Sequence, residues 1–448
     1  MPVVVLSFSL PTIVSAATDF LFDLPRFTDQ GAVAYRPGLE RMWALMEAMG
    51  QPHEQFESVH VAGTNGKGST ASLLAAIATA CGKRVGLHTS PHLFSLTERM
   101  RIDGAPAPEA WLERAVERYR ETFEVVRPSF FEATTALSFL YFAEQKVDLA
   151  VIEVGLGGRL DATNVIRPAA ALITNIGLEH TDLLGTTHAD IAREKAGIIK
   201  PGVPVLTTAG HPDAIAVIRA TAEHQRAPYH HIQEEVEITS VDTNLHGLIL
   251  DVQTPERRYK DLHVGLPGRH QQWNAVLALR AAELILTELR HDSGCLYEGL
   301  QHVRRLSGLR GRFDILREHP AIVADVAHNA EGLTVTLEAL EPVLEGRSGR
   351  LFVLLGAMQD KDVGRMADLL ASARATVFCV TIDSDRAYRA GALCDLLRKH
   401  GVNVIGAGLF GEGWERFQHE MTRDDVLLVT GSHQVVAQAP VHIDDHPE

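Results

Sequence analysis

A strand, a glycine-rich turn and a helix follow one another between Val59 and Cys81, and this succession constrains the fold of the chain more than any other segment. The turn carries a lysine between two glycines, and the segment after it is rich in Ala and Leu. Glycines let backbone N–H groups close around an anion, the helix N-terminus adds positive potential, and the lysine adds a full charge. The segment therefore predicts a phosphate-binding loop formed by Thr64, Asn65, Gly66, Lys67, Gly68 and Ser69.

The spacing within this loop separates it from the commonest phosphate-binding loops. In those loops Ser or Thr follows the lysine directly, whereas here Gly68 stands between Lys67 and Ser69. This departure disfavours a phosphotransferase of the common kinase or GTPase type. A glycine-rich turn with a solvated lysine is the alternative interpretation, and the strand before the turn and the helix after it argue against it.

Length and charge restrict the remaining possibilities. A chain of 448 residues with 46% hydrophobic and 22% charged residues is typical of a globular protein, and its length suggests two domains. The net charge of −15 argues against a nucleic-acid partner, because nucleic-acid phosphates would be repelled. A local basic site for a small anion remains compatible with that charge.

The cysteines give no sign of a metal site or a disulfide framework. They lie far apart in the sequence and form no CxxC pair. We therefore expect neither a zinc site nor disulfides, which is compatible with a reducing cytoplasm. The four positions are Cys81, Cys295, Cys379 and Cys394.

The run from Val3 to Ala17 is apolar and resembles the hydrophobic part of a signal peptide. It lacks the basic residues that precede such a part, because no Lys or Arg comes before Arg26. We interpret this run as a start-site extension or a terminal strand. No other stretch is apolar and long enough to span a bilayer, so we expect no membrane partner.

Short apolar runs alternate with helical patterns after the phosphate-binding loop, which indicates a doubly wound α/β domain. Segment 225–265 has short alternating runs and turn residues, and it predicts a small antiparallel β insertion. A second alternation of strands and helices begins after the segment Ser307–Arg312, which is rich in Gly and Arg. We predict a P-loop ATPase domain over residues 1–306 and a Rossmann-like α/β domain over residues 307–448.

Functional groups in such folds lie beyond the carboxyl ends of the strands. Glu153 ends one predicted strand and is well placed to hold Mg²⁺, and His180 follows the next strand, where a second metal could be reached. Lys195 lies in a helix that returns to the same rim. The alternatives are a cap or salt-bridge acid for Glu153, a core histidine for His180 and a solvated lysine for Lys195.

The second half offers a similar set. Asp325 and His328 lie between a predicted strand and helix and should face a crevice, where a carboxylate commonly binds a ribose. Arg312 could reach nucleotide phosphates, and Asn274 offers an amide for a base. Each of these four residues is a weak indication when taken alone.

Seven motifs in register resemble the folylpolyglutamate synthases and dihydrofolate synthases, the folate branch of the Mur ligase superfamily. The likeness runs from about Phe20 to about Val436. Ala330 departs from the pattern, since the family usually has proline there. The motifs are Gly63-Thr-Asn-Gly-Lys-Gly-Ser-Thr70, Thr89-Ser-Pro-His-Leu93, Glu153-Val-Gly-Leu-Gly-Gly-Arg-Leu-Asp-Ala-Thr-Asn164, His180-Thr-Asp182, Arg193-Glu-Lys-Ala-Gly-Ile-Ile199, Asp325-Val-Ala-His-Asn329 and Asp360-Lys-Asp362.

This resemblance implies a cytoplasmic, ATP- and Mg²⁺-dependent ligase that joins L-glutamate to dihydropteroate, to a folate, or to both, through an acyl phosphate. It implies small-molecule partners only, with no nucleic acid and no membrane, and we expect a monomer. The nearest alternative is a Mur-type ligase acting on another carboxylate. A non-catalytic P-loop nucleotide-binding module is an alternative of another class, but it would not need Glu153, His180 and Lys195 around a metal.

The resemblance also implies roles for individual residues. Ser90, Glu153 and His180 would hold two magnesium ions, with a carbamylated Lys195 as an anionic ligand, and Lys67, Lys195 and His180 would be catalytic. The triphosphate would lie on the phosphate-binding loop, with Asn274, Arg312 and Asp325 contacting ATP. The pterin would be contacted by Ser129, Phe130, Phe131, Glu132, Leu160, Asp161 and Ala162. The glutamate would be contacted by Arg99, His328 and Ser432.

Overall fold

The computed structural model describes residues 16–25, 37–345 and 349–440. Within these ranges no helix combines the length and the apolar composition that crossing a membrane requires. Most of the run Val3–Ala17 lies outside the described residues, and its last two residues open a helix, Ala16–Phe22. The alternative of a terminal strand is therefore wrong for Ala16 and Ala17, and the rest of the run lies outside the described residues.

Seventeen strands among the described residues form three sheets. Along the chain, a sheet of eight strands comes first, a sheet of three strands second and a sheet of six strands third. Their strands are β1 (Glu57–Ala62), β2 (Val85–His88), β3 (Met100–Ile102), β4 (Ala105–Pro106), β5 (Leu149–Glu153), β6 (Ala170–Ile173), β7 (Val205–Thr207), β8 (Tyr229–His231), β9 (Glu237–Asn244), β10 (Gly247–Gln253), β11 (Arg258–Val264), β12 (Asp314–Glu318), β13 (Ala321–Ala324), β14 (Leu351–Leu355), β15 (Thr376–Val380), β16 (Asn403–Gly408) and β17 (Val426–Thr430).

Helices cover both faces of the two larger sheets, as the sequence predicts for an α/β protein. The α-helices are α1 (Ala16–Phe22), α2 (Glu40–Ala48), α3 (Lys67–Ala80), α4 (Glu109–Arg118), α5 (Arg120–Val126), α6 (Phe130–Glu144), α7 (Thr181–Leu184), α8 (His188–Ala196), α9 (Pro212–His224), α10 (Ile232–Glu235), α11 (Gln271–Ile285), α12 (Gly294–Gln301), α13 (Val303–Ser307), α14 (Ala330–Glu345), α15 (Val363–Ser372), α16 (Ala390–Lys399), α17 (Phe410–Glu420) and α18 (His433–Val436). Short 3₁₀ helices occupy Pro52–Glu54, Leu96–Arg99, Ala162–Val165 and Thr287–Arg290.

The first sheet has the strand order β4-β3-β2-β5-β1-β6-β7-β8. The six neighbouring strands β2, β5, β1, β6, β7 and β8 run parallel, and the central strand β5 is buried along its whole length. The edge strands β3 and β4 are antiparallel and were not predicted. They are joined by Asp103 and Gly104, which both have positive φ, and this Asp-Gly pair is the sequence mark of a tight hairpin.

The small antiparallel sheet has the order β11-β10-β9 and begins at Glu237. The predicted insertion at 225–265 therefore starts too early. Residues Tyr229–His231 instead form β8, which pairs in parallel with β7 and completes the first sheet. Short polar strands at a sheet edge have no apolar run to distinguish them from a turn, which explains the misplacement.

The third sheet has the order β12-β13-β17-β14-β15-β16, and all its pairs are parallel except β12 with β13. It confirms the predicted α/β fold with a separate C-terminal sheet. The predicted domain boundary after residue 306 stays a prediction.

A disulfide joins Cys81 and Cys295, so the expectation of no disulfide is wrong. Cys81 ends the helix that follows the phosphate-binding loop, and Cys295 lies in α12. Their Cα atoms are 4.9 Å apart although 214 residues separate them in the chain. Sequence spacing could not reveal the pair, because only the packing of α12 on α3 brings the two thiols together.

We expect reduction of this disulfide to lower the free energy of unfolding by about 2–4 kcal/mol, because the bridge closes a long loop in the unfolded chain. Thermal unfolding with and without reductant measures the effect. Cys295→Ser should unfold at the same temperature in both buffers. Titration of four free thiols in the untreated, denatured protein would contradict the pairing.

Candidate active site

The phosphate-binding loop leaves β1 and is tied to the end of the neighbouring strand β6. The N–H of Thr64 donates to the carbonyl oxygen of Asn175 (2.9 Å), and the N–H of Asn65 donates to Asn175 Oδ1 (2.7 Å). Thr174 Oγ1 donates to the carbonyl of Asn65 (2.7 Å). These bonds fix the loop before any anion binds, so little order has to be gained on binding.

Close packing explains why two loop positions are glycine. A Cβ on Gly63 would lie 1.7 Å from Thr174 Oγ1, and a Cβ on Gly66 would lie 2.3 Å from Asn274 Oδ1. Gly66 also has φ of +85° and directly precedes α3. The contact with Gly66 places the predicted ATP residue Asn274 against the phosphate-binding loop.

Two lysines meet at the carbonyl oxygen of Gly63. Lys67 Nζ donates to it at 3.1 Å and to the carbonyl of Thr64 at 2.9 Å, and Lys195 Nζ donates to it at 2.7 Å. Lys195 is only 4% exposed. Burial, reinforced by the charge of Lys67, lowers the pKa of Lys195 to about 7. Lys195 is therefore a buried, partly neutral amine and not a solvated surface lysine.

Glu153 ends β5 beside the start of α3. A Cβ on Gly68 would lie 3.5 Å from Glu153 Oε1 and 3.8 Å from Arg312 Nη2, so both side chains flank this glycine. Glu153 is buried and accepts one hydrogen bond, from the N–H of Ser90 to its Oε2 (3.0 Å). Burial raises the pKa of Glu153, and the charges of Lys67, Arg312 and Arg99 oppose that rise.

His180 follows β6 and has a left-handed backbone with φ of 52°. Burial lowers its pKa to about 4 in spite of the neighbouring Glu179, so its imidazole is neutral at physiological pH. A small cavity is lined by His180 together with Thr64, Lys67 and Lys195. The structure thus brings the three predicted catalytic residues to one cavity behind the phosphate-binding loop.

The carboxylate of Glu153, beside the start of α3, suits a hard cation with an open coordination sphere. Among the residues that the structure describes, no three His, Cys, Asp or Glu side chains form a metal-binding group. Glu153 nevertheless keeps most of its acceptor capacity, because within the described ranges only the N–H of Ser90 donates to it. Mg²⁺ is usually held by one or two carboxylates together with substrate phosphates and water, so the residues present fit it.

The C-terminal half contributes residues at the ends of β13 and β17. Asp325 accepts bonds from the N–H groups of Phe313 (2.8 Å) and Ala327 (2.7 Å), and burial raises its pKa while Arg312 opposes the rise. Ser432 caps α18 by accepting a bond from the N–H of Gln434. The ring of His328 lies 6.1 Å from that of His433, next to Ser432.

The predicted pterin residues fall into two groups. Phe131 packs on Gly155, because a Cβ on Gly155 would lie 2.5 Å from the Phe131 ring. Gly155 in turn lines the cavity. Phe130 stacks on Phe22 and lies under the Arg99 guanidinium, 5.1 Å from its ring centroid. These residues form an aromatic wall beside the cavity.

The carboxylates of this region are engaged within the protein. Glu132 forms a capping box with Ser129 and pairs with Arg41 at 3.0 Å. Asp161 is 6% exposed and accepts bonds from the N–H groups of Gly155 and Leu156 (3.1 and 2.9 Å), which shapes the loop around Leu160 and Ala162. Both acids therefore fix loops next to the cavity, and their direct contact with a pterin stays a prediction.

Two site residues were missed by the sequence analysis. Asn175 orients the phosphate-binding loop, and its position at the end of a predicted strand was the available sign. Glu179 lines the cavity and contacts three residues near the third sheet. Its only sign was its position next to His180, and its partners could not be known before the fold.

Two family models match the chain. The Mur ligase middle domain matches residues 61–282, and the model described as "Mur ligase, glutamate ligase domain" matches residues 311–433. The dihydrofolate synthase/folylpolyglutamate synthase of Bacillus subtilis is 37% identical over 414 residues, which cover 89% of this chain and 93% of that protein.

Solved structures agree with this similarity. Folylpolyglutamate synthase of Mycobacterium tuberculosis, complexed with ADP, is 30% identical and superposes with a TM-score of 0.81 over 90% of this chain and 94% of that one. Escherichia coli FolC, in complex with DHPP and ADP, is 28% identical and has a TM-score of 0.81 over 94% of each chain.

Proposed function

This chain belongs to the folylpolyglutamate synthase/dihydrofolate synthase family of Mur ligases, and from that membership we propose the reaction that its site performs. It is an ATP-dependent ligase that joins L-glutamate to dihydropteroate, to a folate, or to both. The observation that carries the assignment to this site is the convergence of Lys67, His180 and Lys195 on one cavity behind the phosphate-binding loop.

The chemical problem is amide formation from a carboxylate, which is a poor electrophile. A substrate carboxylate oxygen attacks the γ-phosphorus of ATP, the bond to ADP breaks, and an acyl phosphate forms. The glutamate amine then attacks the acyl carbon, inorganic phosphate leaves, and the amine loses a proton. The protein lowers both barriers by positioning the reactants and by stabilising the phosphate charge.

The residues divide this work between them. The N–H groups of the phosphate-binding loop and Lys67 hold the β- and γ-phosphates, Asn274 borders the loop, and Arg312 and Asp325 face the nucleotide from the other half. The aromatic wall of Phe130 and Phe131 receives the pterin. Arg99, His328 and Ser432 are proposed to bind the carboxylates of the incoming glutamate.

We propose that Ser90, Glu153, His180 and a carbamylated Lys195 hold magnesium beside the phosphates. When bound, Mg²⁺ neutralises the negative charge that develops on the transferred phosphoryl group. Glu153 offers a carboxylate whose Oε2 atom accepts from the N–H of Ser90, and His180 offers a neutral imidazole. The neutral fraction of Lys195 is the form that reacts with CO₂.

ATP-dependent incorporation of labelled glutamate tests the proposed function. Dihydropteroate and tetrahydrofolate are offered in parallel, each with and without ATP. Incorporation into either pterin that depends on ATP and releases one phosphate per amide supports the proposal. Incorporation into neither pterin by folded, ADP-binding protein would overturn it.

We expect Glu153→Gln and His180→Ala to raise the Mg²⁺ concentration needed for half-maximal activity by about tenfold or more, because each removes a proposed metal ligand. Activity titrated against Mg²⁺ measures the shift, and dihydropteroate binding should change little. Unchanged magnesium curves in both variants would show that the two residues are structural.

We also propose that the enzyme works as a monomer in the cytoplasm, where ATP and glutamate are available. Gel filtration with light scattering at micromolar concentration tests the monomer. A stable dimer at that concentration would contradict it.

A further inference from the structure

Glu179 extends from the N-terminal half of the protein into a group of polar side chains that belong to the C-terminal half. It lies in the loop between β6 and α7, directly before His180. Its Oε1 atom accepts from Lys361 Nζ at 3.2 Å and from Asn329 Nδ2 at 3.3 Å, and it lies 3.4 Å from His328 Nε2. One carboxylate oxygen thus contacts three groups of the other half.

The partners of Glu179 are themselves at functional positions. His328 and Asn329 lie in the loop that follows β13, and Lys361 lies in the loop that follows β14. All three therefore lie beyond the carboxyl ends of strands. The side chain of Glu179 is 18% exposed and that of Lys361 is 13% exposed. A charge pair that is largely shielded from water holds its geometry more firmly than an exposed pair.

The contact continues into the C-terminal half as a row of alternating charges. Lys361 Nζ lies 3.5 Å from Asp360 Oδ2, and Asp360 Oδ1 lies 3.6 Å from Arg386 Nη2. A second contact between the halves joins Asn65 of the phosphate-binding loop to Glu331 at the start of α14 (3.1 Å). Both contacts link loops of the first sheet to the segment that follows β13.

We propose that Glu179 is a positioning residue for ligation: it sets the loops that carry His328 and Lys361 in register with the phosphate-binding loop. Ligation needs this register, because the acyl phosphate forms on one half and the amine arrives from the other. A misplacement of about 1 Å between reactants can cost about 100-fold in rate. The inference rests on the proposed function and adds to it the residue that joins the two halves of the site.

The central test replaces Glu179 with Gln, which keeps the shape of the side chain and removes its charge. We expect kcat for glutamate ligation to fall about 10- to 100-fold, while the Kd for ADP stays within about twofold of the original. ADP binding should persist because Glu179 makes no bond to the phosphate-binding loop. Glu179→Asp keeps the charge and should retain more activity than Glu179→Gln.

Glu298→Gln is a matched control. Like Glu179, Glu298 pairs with one basic side chain and one histidine. Its partners are Arg305 (2.9 Å) and His302 (3.6 Å), and both lie nearby in the same half. We expect this variant to ligate glutamate at the original rate. Equal losses in the two variants would overturn the proposal.

Hydrogen exchange gives a readout that does not depend on activity. In Glu179→Gln, amides of residues 325–329 and 358–361 should exchange at least several-fold faster, and in Glu298→Gln they should not. Lys361→Met provides a second comparison. The double variant Lys361→Met/Glu179→Gln should have a kcat less than twofold below that of Lys361→Met alone, because the two residues act as a pair.

The outcomes separate this inference from the proposed function. If the original protein ligates glutamate and Glu179→Gln ligates at the same rate, or if its losses multiply with those of Lys361→Met, the positioning role is overturned. If the original protein ligates neither pterin, the proposed function fails, and the exchange rates still decide whether Glu179 holds the two halves together.

Discussion

Lys67→Ala should reduce glutamate ligation by about 10³-fold or more, because it removes the cation that we propose lies closest to the transferred phosphoryl group. In the structure Lys67 Nζ donates to the carbonyl oxygens of Gly63 and Thr64, at the point where β1 passes into α3. Steady-state rates of labelled glutamate incorporation at saturating ATP measure the loss.

Lys83→Ala is the control for this change. Lys83 follows the opposite end of the same helix and pairs with Glu288 near the surface. The Lys83→Ala variant should ligate glutamate at the rate of the original protein. Near-normal turnover by folded Lys67→Ala protein would contradict the assignment of the phosphate-binding loop.

Lys195→Ala should be nearly inactive and should regain part of its activity when a small carboxylate such as formate or acetate is added. The physical reason is that a carbamate on Lys195 would present two anionic oxygens to Mg²⁺, whereas an ammonium would repel it. The added carboxylate would supply the missing oxygens. Activity of the variant measured against carboxylate concentration tests this expectation.

The pKa of Lys195 gives the same hypothesis a pH dependence. With a pKa of about 7, about half of this amine is neutral at pH 7, whereas an ordinary lysine would have only about one neutral amine in 3,000. At limiting bicarbonate, ligation by the original protein should therefore rise as the pH increases from about 6 to 8. A flat profile over this range would contradict the carbamate.

Lys200→Ala is the matched control, since Lys200 Nζ also donates to a carbonyl oxygen, that of Asn164, and burial also lowers its pKa. It should not respond to added carboxylate. An unmodified Lys195 in a crystal grown near neutral pH with bicarbonate and Mg-ATP would refute the hypothesis.

Much of the site could be predicted because its parts are local in sequence. The phosphate-binding loop is a strand, a turn and a helix within about twenty residues, and turn chemistry and hydrophobic pattern act over that range. Glu153 and His180 were found because each follows a buried strand, and parallel strands bring their carboxyl ends to one edge. The rule needs no knowledge of which strands are neighbours.

Other features depended on contacts that no local pattern records. The resemblance implies that Asp161 and Glu132 contact the pterin, and that role stays a prediction. Only the structure shows their hydrogen bonds to Gly155, Leu156 and Arg41, which hold the neighbouring loops. The start of the antiparallel insertion was misplaced because β8 pairs with a strand that precedes it by a whole helix.

By itself the sequence determined the phosphate chemistry, the α/β class and most of the residues at the rim, since these follow from turn geometry and from the period of buried side chains. Only the tertiary structure decided which distant groups meet. Cys81 and Cys295 are 214 residues apart, and Glu179 and Lys361 are 182 apart. Such pairs form because whole helices and sheets pack together, and that packing is a property of the complete chain and not of any segment of it.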